Sequence, residues 1–179
     1  MKQIFYLVLI SLLLQNCRFS NKTNYLSAES IVFYDSVRSR KIPVEIYTKP
    51  DKKYNNQLVI INNGYGSSNT EYSYIAKKLI NLGYIVVCIQ HEQPEDEAIP
   101  NPEHRRPVWE RGVKNVEWVV NSIKKTYKNI DTNNLILIGH SNGGDITMLF
   151  STLYPQRVTK AITLDHRRMI IPRVSKPSI

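Results

Sequence analysis

Leu135-Ile136-Leu137-Ile138-Gly139-His140-Ser141-Asn142-Gly143-Gly144 joins an apolar run to a segment that reads as a helix. Strand, cramped turn and helix in that order are the setting a Gly-x-Ser-x-Gly elbow requires, with the serine at the apex of a strained turn. Residues 139 and 143 must lack bulk for strand and helix to approach so closely, and that approach is what exposes the serine hydroxyl. The pattern marks Ser141 as the candidate nucleophile. A chance match in a chain this long is about a one-in-twenty event at ordinary Gly and Ser usage, and the flanking strand and helix make it rarer.

Working outward from the elbow, Leu58-Val59-Ile60-Ile61 is a continuous apolar run, the signature of a strand covered on both faces. It ends in Asn62-Asn63-Gly64-Tyr65-Gly66. Ser68 followed by Glu71 predicts a capping box ahead of a helix that carries Tyr72, Ile75, Ala76, Leu79 and Ile80 and stops at Gly83. Residues 84–89 predict a second buried strand, parallel to the first through a right-handed crossover. A loop over 91–106 follows, and Pro107 is placed to open a helix with Val113, Val116, Val120, Ile123 and Tyr127 on one face. Lys124, Lys125 and Lys128 suit its C-terminal dipole. The elbow helix ends before Pro155, and Val158 to Leu164 form one more strand.

Upstream, Ile31-Val32-Phe33-Tyr34 and Val44-Glu45-Ile46-Tyr47 predict an antiparallel hairpin, its second strand bracketed by Pro43 and Pro50. The fold class expected is therefore α/β, a predominantly parallel sheet with helices on both faces and an antiparallel N-terminal hairpin. The sequence has no internal repeat.

At 179 residues, with 42% hydrophobic and 22% charged residues, the chain fits one globular domain. Its formal charge of +9 is scattered, without a helix-turn-helix or a stacking motif, so no nucleic-acid partner is expected. Residues 1–17 read as an export signal: Lys2, then an apolar run from Ile4 to Leu14 broken only by Ser11, too short for a stable bilayer span. Leu14-Gln15-Asn16-Cys17 is similar to a bacterial lipobox, which would make Cys17 a lipidation site. Asn16 departs from the small residue usual before the cut, so ordinary secretion and an uncleaved anchor remain alternatives. Either way the expected location is outside the cytoplasm, as a membrane-anchored lipoprotein or a periplasmic or extracellular protein. Residues 18–28 predict a polar tether, and 29–179 the domain. Cys88, within an apolar run, is expected to be a buried hydrophobe. The four histidines have no metal-ligand spacing, so no metal is expected.

Acyl transfer also needs donors for a developing oxyanion. The amide of Asn142, at the positive end of the elbow helix, is one candidate; the amide of Tyr65, in the Gly-rich turn after the earlier strand, is the other. With these residues in view, the chain resembles the α/β-hydrolase superfamily over roughly residues 29 to 166. Asn62-Asn63-Gly64-Tyr65-Gly66 is similar to that family's His-Gly-x-Gly oxyanion loop, with Asn63 in the histidine's place. The resemblance implies an acyl-enzyme on Ser141, no cofactor, and a small-molecule acyl substrate with an ester, thioester or peptide bond.

The superfamily's triad runs Ser, then Asp or Glu, then His. Only 38 residues follow Ser141. The expectation is an incomplete α/β-hydrolase fold, truncated at its C-terminus, with weak or no turnover if the chain is whole. The alternative is a non-catalytic exported lipoprotein that uses the fold for binding. His140, beside the serine, is expected to be structural, and Asp145 a helix-dipole partner. Asp165 and His166 end the last strand, where some relatives carry their acid, yet adjacent strand residues point opposite ways and would not form an acid–base pair. His91 can line the pocket, and His104-Arg105-Arg106 reads as solvated loop.

Overall fold

Alternation along the central strands decides how this chain packs. In a computed structural model, described over residues 27–49, 54–98, 101 and 104–171, the strands are β1 (Ser27–Asp35), β2 (Arg40–Thr48), β3 (Gln57–Asn62), β4 (Ile85–Ile89), β5 (Asp131–His140) and β6 (Val158–Leu164). They form one sheet in the order β1-β2-β4-β3-β5-β6. The hairpin β1–β2 and the pair β2–β4 are antiparallel, whereas β4–β3, β3–β5 and β5–β6 are parallel. The helices are α1 (Ser73–Asn81), α2 (Arg106–Thr126) and α3 (Asn142–Leu153).

Leu58, Ile60, Val87, Leu135 and Leu137 point to one face and pack with α2 and α3 through Val113, Val116, Val120, Ile146 and Phe150. Their neighbours Val59, Ile61, Val86, Cys88, Ile136 and Ile138 point to the other face, under Ala76 and Ile80 of α1. A two-residue period with both faces covered yields the unbroken apolar runs seen in the sequence. Helices therefore lie on both faces, as expected. Cys88 is fully buried, and burial pushes its thiol up to about 12.

Three boundaries differ from expectation. The strand β2 runs through Pro43 instead of starting after it. The Pro43 carbonyl accepts the Gln90 amide at 2.9 Å, just beyond the end of β4. Amide and carbonyl of one strand residue face the same side, so the missing N–H faces the end of the ladder and costs β1 nothing. The capping box does not form either. Ser68 Oγ accepts the Thr70 amide at 3.3 Å and the Ser68 carbonyl accepts the Glu71 amide at 3.1 Å, a local turn, so α1 begins at Ser73. The third boundary is the start of the elbow strand: β5 begins at Asp131, whose carboxylate accepts the amides of Asn133 and Asn134. The export segment, Cys17, most of the tether and residues 172–179 lie outside the described residues.

The crossover β3–α1–β4 and the return β4–α2–β5 run in opposite directions across the sheet, leaving a crevice at the carboxyl ends of β3 and β5. On the far side β6 carries Ile162 and Leu164, 45% and 40% exposed.

The contact between α2 and α3 is set by Gly112, where a Cβ would collide with Ile146 Cδ1 and lie 2.7 Å from its Cγ1. Gly112→Ala is expected to destabilise the fold by about 1–3 kcal/mol and Ile146→Ala by about 2–5 kcal/mol. The double variant should cost at least about 1 kcal/mol less than their sum. Urea unfolding of the four proteins measures the coupling; strict additivity would contradict the collision.

Candidate active site

The register of β3 against β5 brings the two candidate halves of the site together. Asn62 pairs with Gly139, so residues 63–66 leave the sheet beside residues 140–142. At the apex Ser141 has φ 50° and ψ −118°, a left-handed conformation rarely adopted by a residue with a side chain. It is the N-cap of α3, and its amide donates to the Leu164 carbonyl at 2.8 Å, fastening the elbow to the end of β6.

Glycine is required on both sides of this apex by close approach. A Cβ on Gly143 would overlap the carbonyl oxygens of Asn62 and Asn63, and one on Gly139 would overlap the Gly143 carbonyl. The oxyanion-loop candidate and the start of α3 are thus in backbone contact. Within that loop the Ser67 amide donates to the Gly64 carbonyl at 3.1 Å, with Tyr65 and Gly66 at the turn's centre and Gly66 at φ +75°. A positive φ at the third turn position is the glycine-favouring geometry of a type II turn. Asn63 Nδ2 donates to the Ser67 carbonyl and braces the loop. The Asn142 amide belongs to the first turn of α3, where the first backbone acceptor serves Asp145 rather than Asn142.

The other candidates occupy different places from a working triad. His140 Nδ1 lies 2.6 Å from Tyr72 Oη, and the two rings pack at 5.7 Å, a structural role as expected. His91 does not line a pocket. It is fully buried, with Nε2 2.9 Å from Asn62 Oδ1, while Asn62 Nδ2 donates to Thr147 Oγ1 at 2.9 Å. Burial, reinforced by the Arg111 and Arg40 charges, pushes His91 down to about 3, so it is neutral and spaces β3 from the following loop. Asp165 lies just past β6 at φ +54°, exposed, and its carboxylate is held by Arg167 Nε and Nη2 at 3.0 and 2.9 Å. That hydrogen bonding keeps its pKa below the usual carboxylate value. His166 packs its Cβ over the start of α3, 2.7 Å from where a Gly144 side chain would begin. His104 is exposed, but Arg105 is not simply solvated: its guanidinium sits 5.9 Å from the Tyr65 ring centre.

Asp145 does more than face a dipole. Fully buried, its Oδ1 accepts the amides of Arg168 and Met169 at 3.1 and 3.0 Å and so folds the post-β6 segment back over α3. Sequence reading also missed the support behind Asn142. The Asn142 side chain is fully buried, with Oδ1 accepting from Trp109 Nε1 at 2.9 Å and Nδ2 donating to Glu92 Oε1 at 3.3 Å. Burial raises Glu92 to about 7, against the pull of Arg111. These three residues come from α3, α2 and the loop after β4, and no spacing rule links positions 92, 109 and 142. Among the described residues no cluster of His, Cys, Asp or Glu could hold a metal ion.

Order of strands, placement of the helices and a serine elbow after β5 define an α/β hydrolase. The sequence profile of the family described as serine aminopeptidase, S33, matches residues 53–164, more than half of the chain, and the chain belongs to that family. Among solved structures it is similar to a dienelactone hydrolase from Anabaena variabilis, with a TM-score of 0.60 at 17% identity over 77% of this chain and 62% of that one. An S-formylglutathione hydrolase from Staphylococcus aureus superposes with a TM-score of 0.61 at 15% identity, covering 80% of this chain and 58% of the other. These likenesses concern the fold, and the chain spans about 62% of the dienelactone hydrolase's length. No curated protein sequence matches it.

The Glu92 shift has a thermodynamic consequence. Folded Glu92 holds its proton to about pH 7, while the unfolded chain releases it near 4.5, so proton release in that window favours unfolding. Its contribution to stability therefore falls as pH rises from about 4.5 to about 7. His91 acts oppositely, since the unfolded histidine takes up a proton below 6.5 that the folded one refuses until about 3. Only the difference between wild type and Glu92→Gln isolates the glutamate. That difference is expected to grow in favour of the variant by about 2–3 kcal/mol between pH 5 and pH 8. Urea midpoints across that range measure it, and a constant difference would contradict a buried, raised carboxyl.

Proposed function

We propose that the chain supplies the nucleophile and oxyanion donors of a serine hydrolase acting on an ester, thioester or peptide bond. The single observation that carries this reading is Ser141 held at φ 50° at the start of α3, in backbone contact with the Asn62–Gly66 loop. In the reaction Ser141 Oγ attacks the acyl carbon and its proton passes to the leaving alcohol, thiol or amine. Cleavage of the carbon–heteroatom bond leaves the acyl-enzyme, and water then breaks the new ester. The amides of Asn142 and Tyr65 are assigned to the oxyanion, a contribution of about 10²–10³ in rate per donor. Family membership and the two hydrolase neighbours, one of them named for a lactone and one for a glutathione thioester, support hydrolysis of a small acyl substrate.

Among the described residues no histidine nitrogen hydrogen-bonds the Ser141 hydroxyl: His91 is engaged by Asn62 and His140 by Tyr72. Without a base, oxyanion stabilisation and binding alone leave a residual of about 10³–10⁴ over water. This favours a second reading, a binding protein that keeps the elbow without turnover. The expected result is slow labelling of the folded chain by a fluorophosphonate, abolished in Ser141→Ala and judged by intact mass. No adduct after prolonged incubation would favour the binding protein.

We further propose that the chain is exported and lipidated at Cys17. In a bacterial host, metabolic labelling with a palmitate analogue should mark the wild type and not Cys17→Ser; equal labelling of both, or of neither, would overturn the lipid anchor.

A further inference from the structure

A second cleft lies on the same sheet edge as the elbow and is built from different residues. It has a volume of about 520 Å³ and lies between the β1–β2 turn, the loop after β4 and the first turns of α2, with Arg38, Arg40, Lys41, Gln93, Glu95 and Arg111 among its lining. That size falls in the ordinary range of small-ligand sites. In the sheet order β2 and β5 are three strand spacings apart, so the cleft is roughly 14 Å from the elbow strand.

The charges around it are unevenly matched. Asp96 takes Arg40 Nη1 and Nη2 at 2.6 and 2.7 Å and Arg111 Nη2 at 3.2 Å, leaving both guanidiniums sharing one carboxylate. Asp35 pairs with Arg38 and spends its Oδ1 on the turn amides of Val37 and Arg38. Lys41 has no carboxylate partner among the described residues, and Glu95 is the only acid in the lining itself. Two guanidinium nitrogens, Arg38 Nη2 and Arg40 Nε, are buried with no acceptor among the described residues. Buried charged donors are costly to leave unpaired, and a guanidinium fork matches a phosphate oxygen pair as well as it does a carboxylate.

We propose that this cleft binds a phosphate group, with Lys41 and Arg111 closing on it from the rim and the charges of Arg38 and Arg40 lying beneath them. Four cations against the carboxylates of Asp35, Asp96 and Glu95 leave net positive charge, centred on unpaired Lys41, for an anion to meet. The proposal does not rest on acyl transfer at Ser141, and its test uses no hydrolysis. The phosphate can come from a soluble phosphate ester or from a lipid headgroup.

Calorimetric titration of the folded chain with pyrophosphate, at constant ionic strength set by chloride, is expected to show saturable one-to-one binding. Lys41→Gln, an exposed change, and Arg111→Gln, which leaves Arg40 on Asp96, should each weaken it about tenfold. Thermal melts without anion check that both variants are folded; if Arg111→Gln is not, Lys41→Gln decides. Cosedimentation with phosphatidylglycerol vesicles, displaced by pyrophosphate and weakened in Lys41→Gln, would assign the headgroup source. Pyrophosphate binding without vesicle binding would assign the soluble ester. No saturable pyrophosphate binding, or binding unchanged in the folded variants, would overturn the site.

Discussion

The contact between the Asn62 and Asn63 carbonyls and the backbone of Gly143 governs the architecture of this molecule. It exists because position 143 has no Cβ, and it fixes how far α3 can descend toward the sheet. Once α3 is seated, Ser141 has no choice but the left-handed conformation that turns β5 into the helix. Strain of this kind costs about 1–3 kcal/mol and persists only where the surroundings over-determine it. Here the surroundings are the β3–β5 and β5–β6 ladders, which end at Gly139 and His140, together with the Ser141 amide bonded to Leu164.

Polar groups buried behind the elbow keep that geometry from relaxing. Asn62 bridges His91 and Thr147, tying β3 to the loop after β4 and to α3, while Asn142 bridges Trp109 and Glu92. Buried amides satisfied on both sides are expensive to displace, so the two bridges fix orientation more than they add net stability. Neutral His91 is part of the same economy, since a charged imidazole beside Arg40 and Arg111 would repel both. Glu92 is the weakest member: one oxygen reaches Asn142, and Oε2 is buried with no partner among the described residues.

What the sequence revealed divides along physical lines. The strands β3, β4 and β5 were legible because burial on both faces writes a continuous apolar run, and the elbow because close approach admits only glycine at 139 and 143. The start of α1 was not, because Ser68 and Thr70 have the same composition as a helix cap and satisfy each other in a turn instead. Pro43 misled for a related reason: proline forbids a donor, but only the strand's neighbours decide whether a donor is needed there. The Glu92–Asn142–Trp109 bridge was illegible, since its members are separated by up to 50 residues and none carries a local signature. Asp145 was legible as a first-turn acid but not as an anchor for residues 168 and 169.

That last residue bears on whether the elbow can hold a negative oxygen at all. The start of α3 contributes about half a positive charge, and an unpaired carboxylate in the first turn would more than cancel it. Asp145 is not unpaired. Its Oδ1 takes two amides from the post-β6 segment, and its Oδ2 faces Arg168 Nη1 at 3.8 Å. The two amides and the Arg168 guanidinium thus offset part of the carboxylate's negative charge beside the start of α3. The return of the chain over α3, which needs Gly144 to clear His166, therefore serves the electrostatics of the elbow as well as its packing.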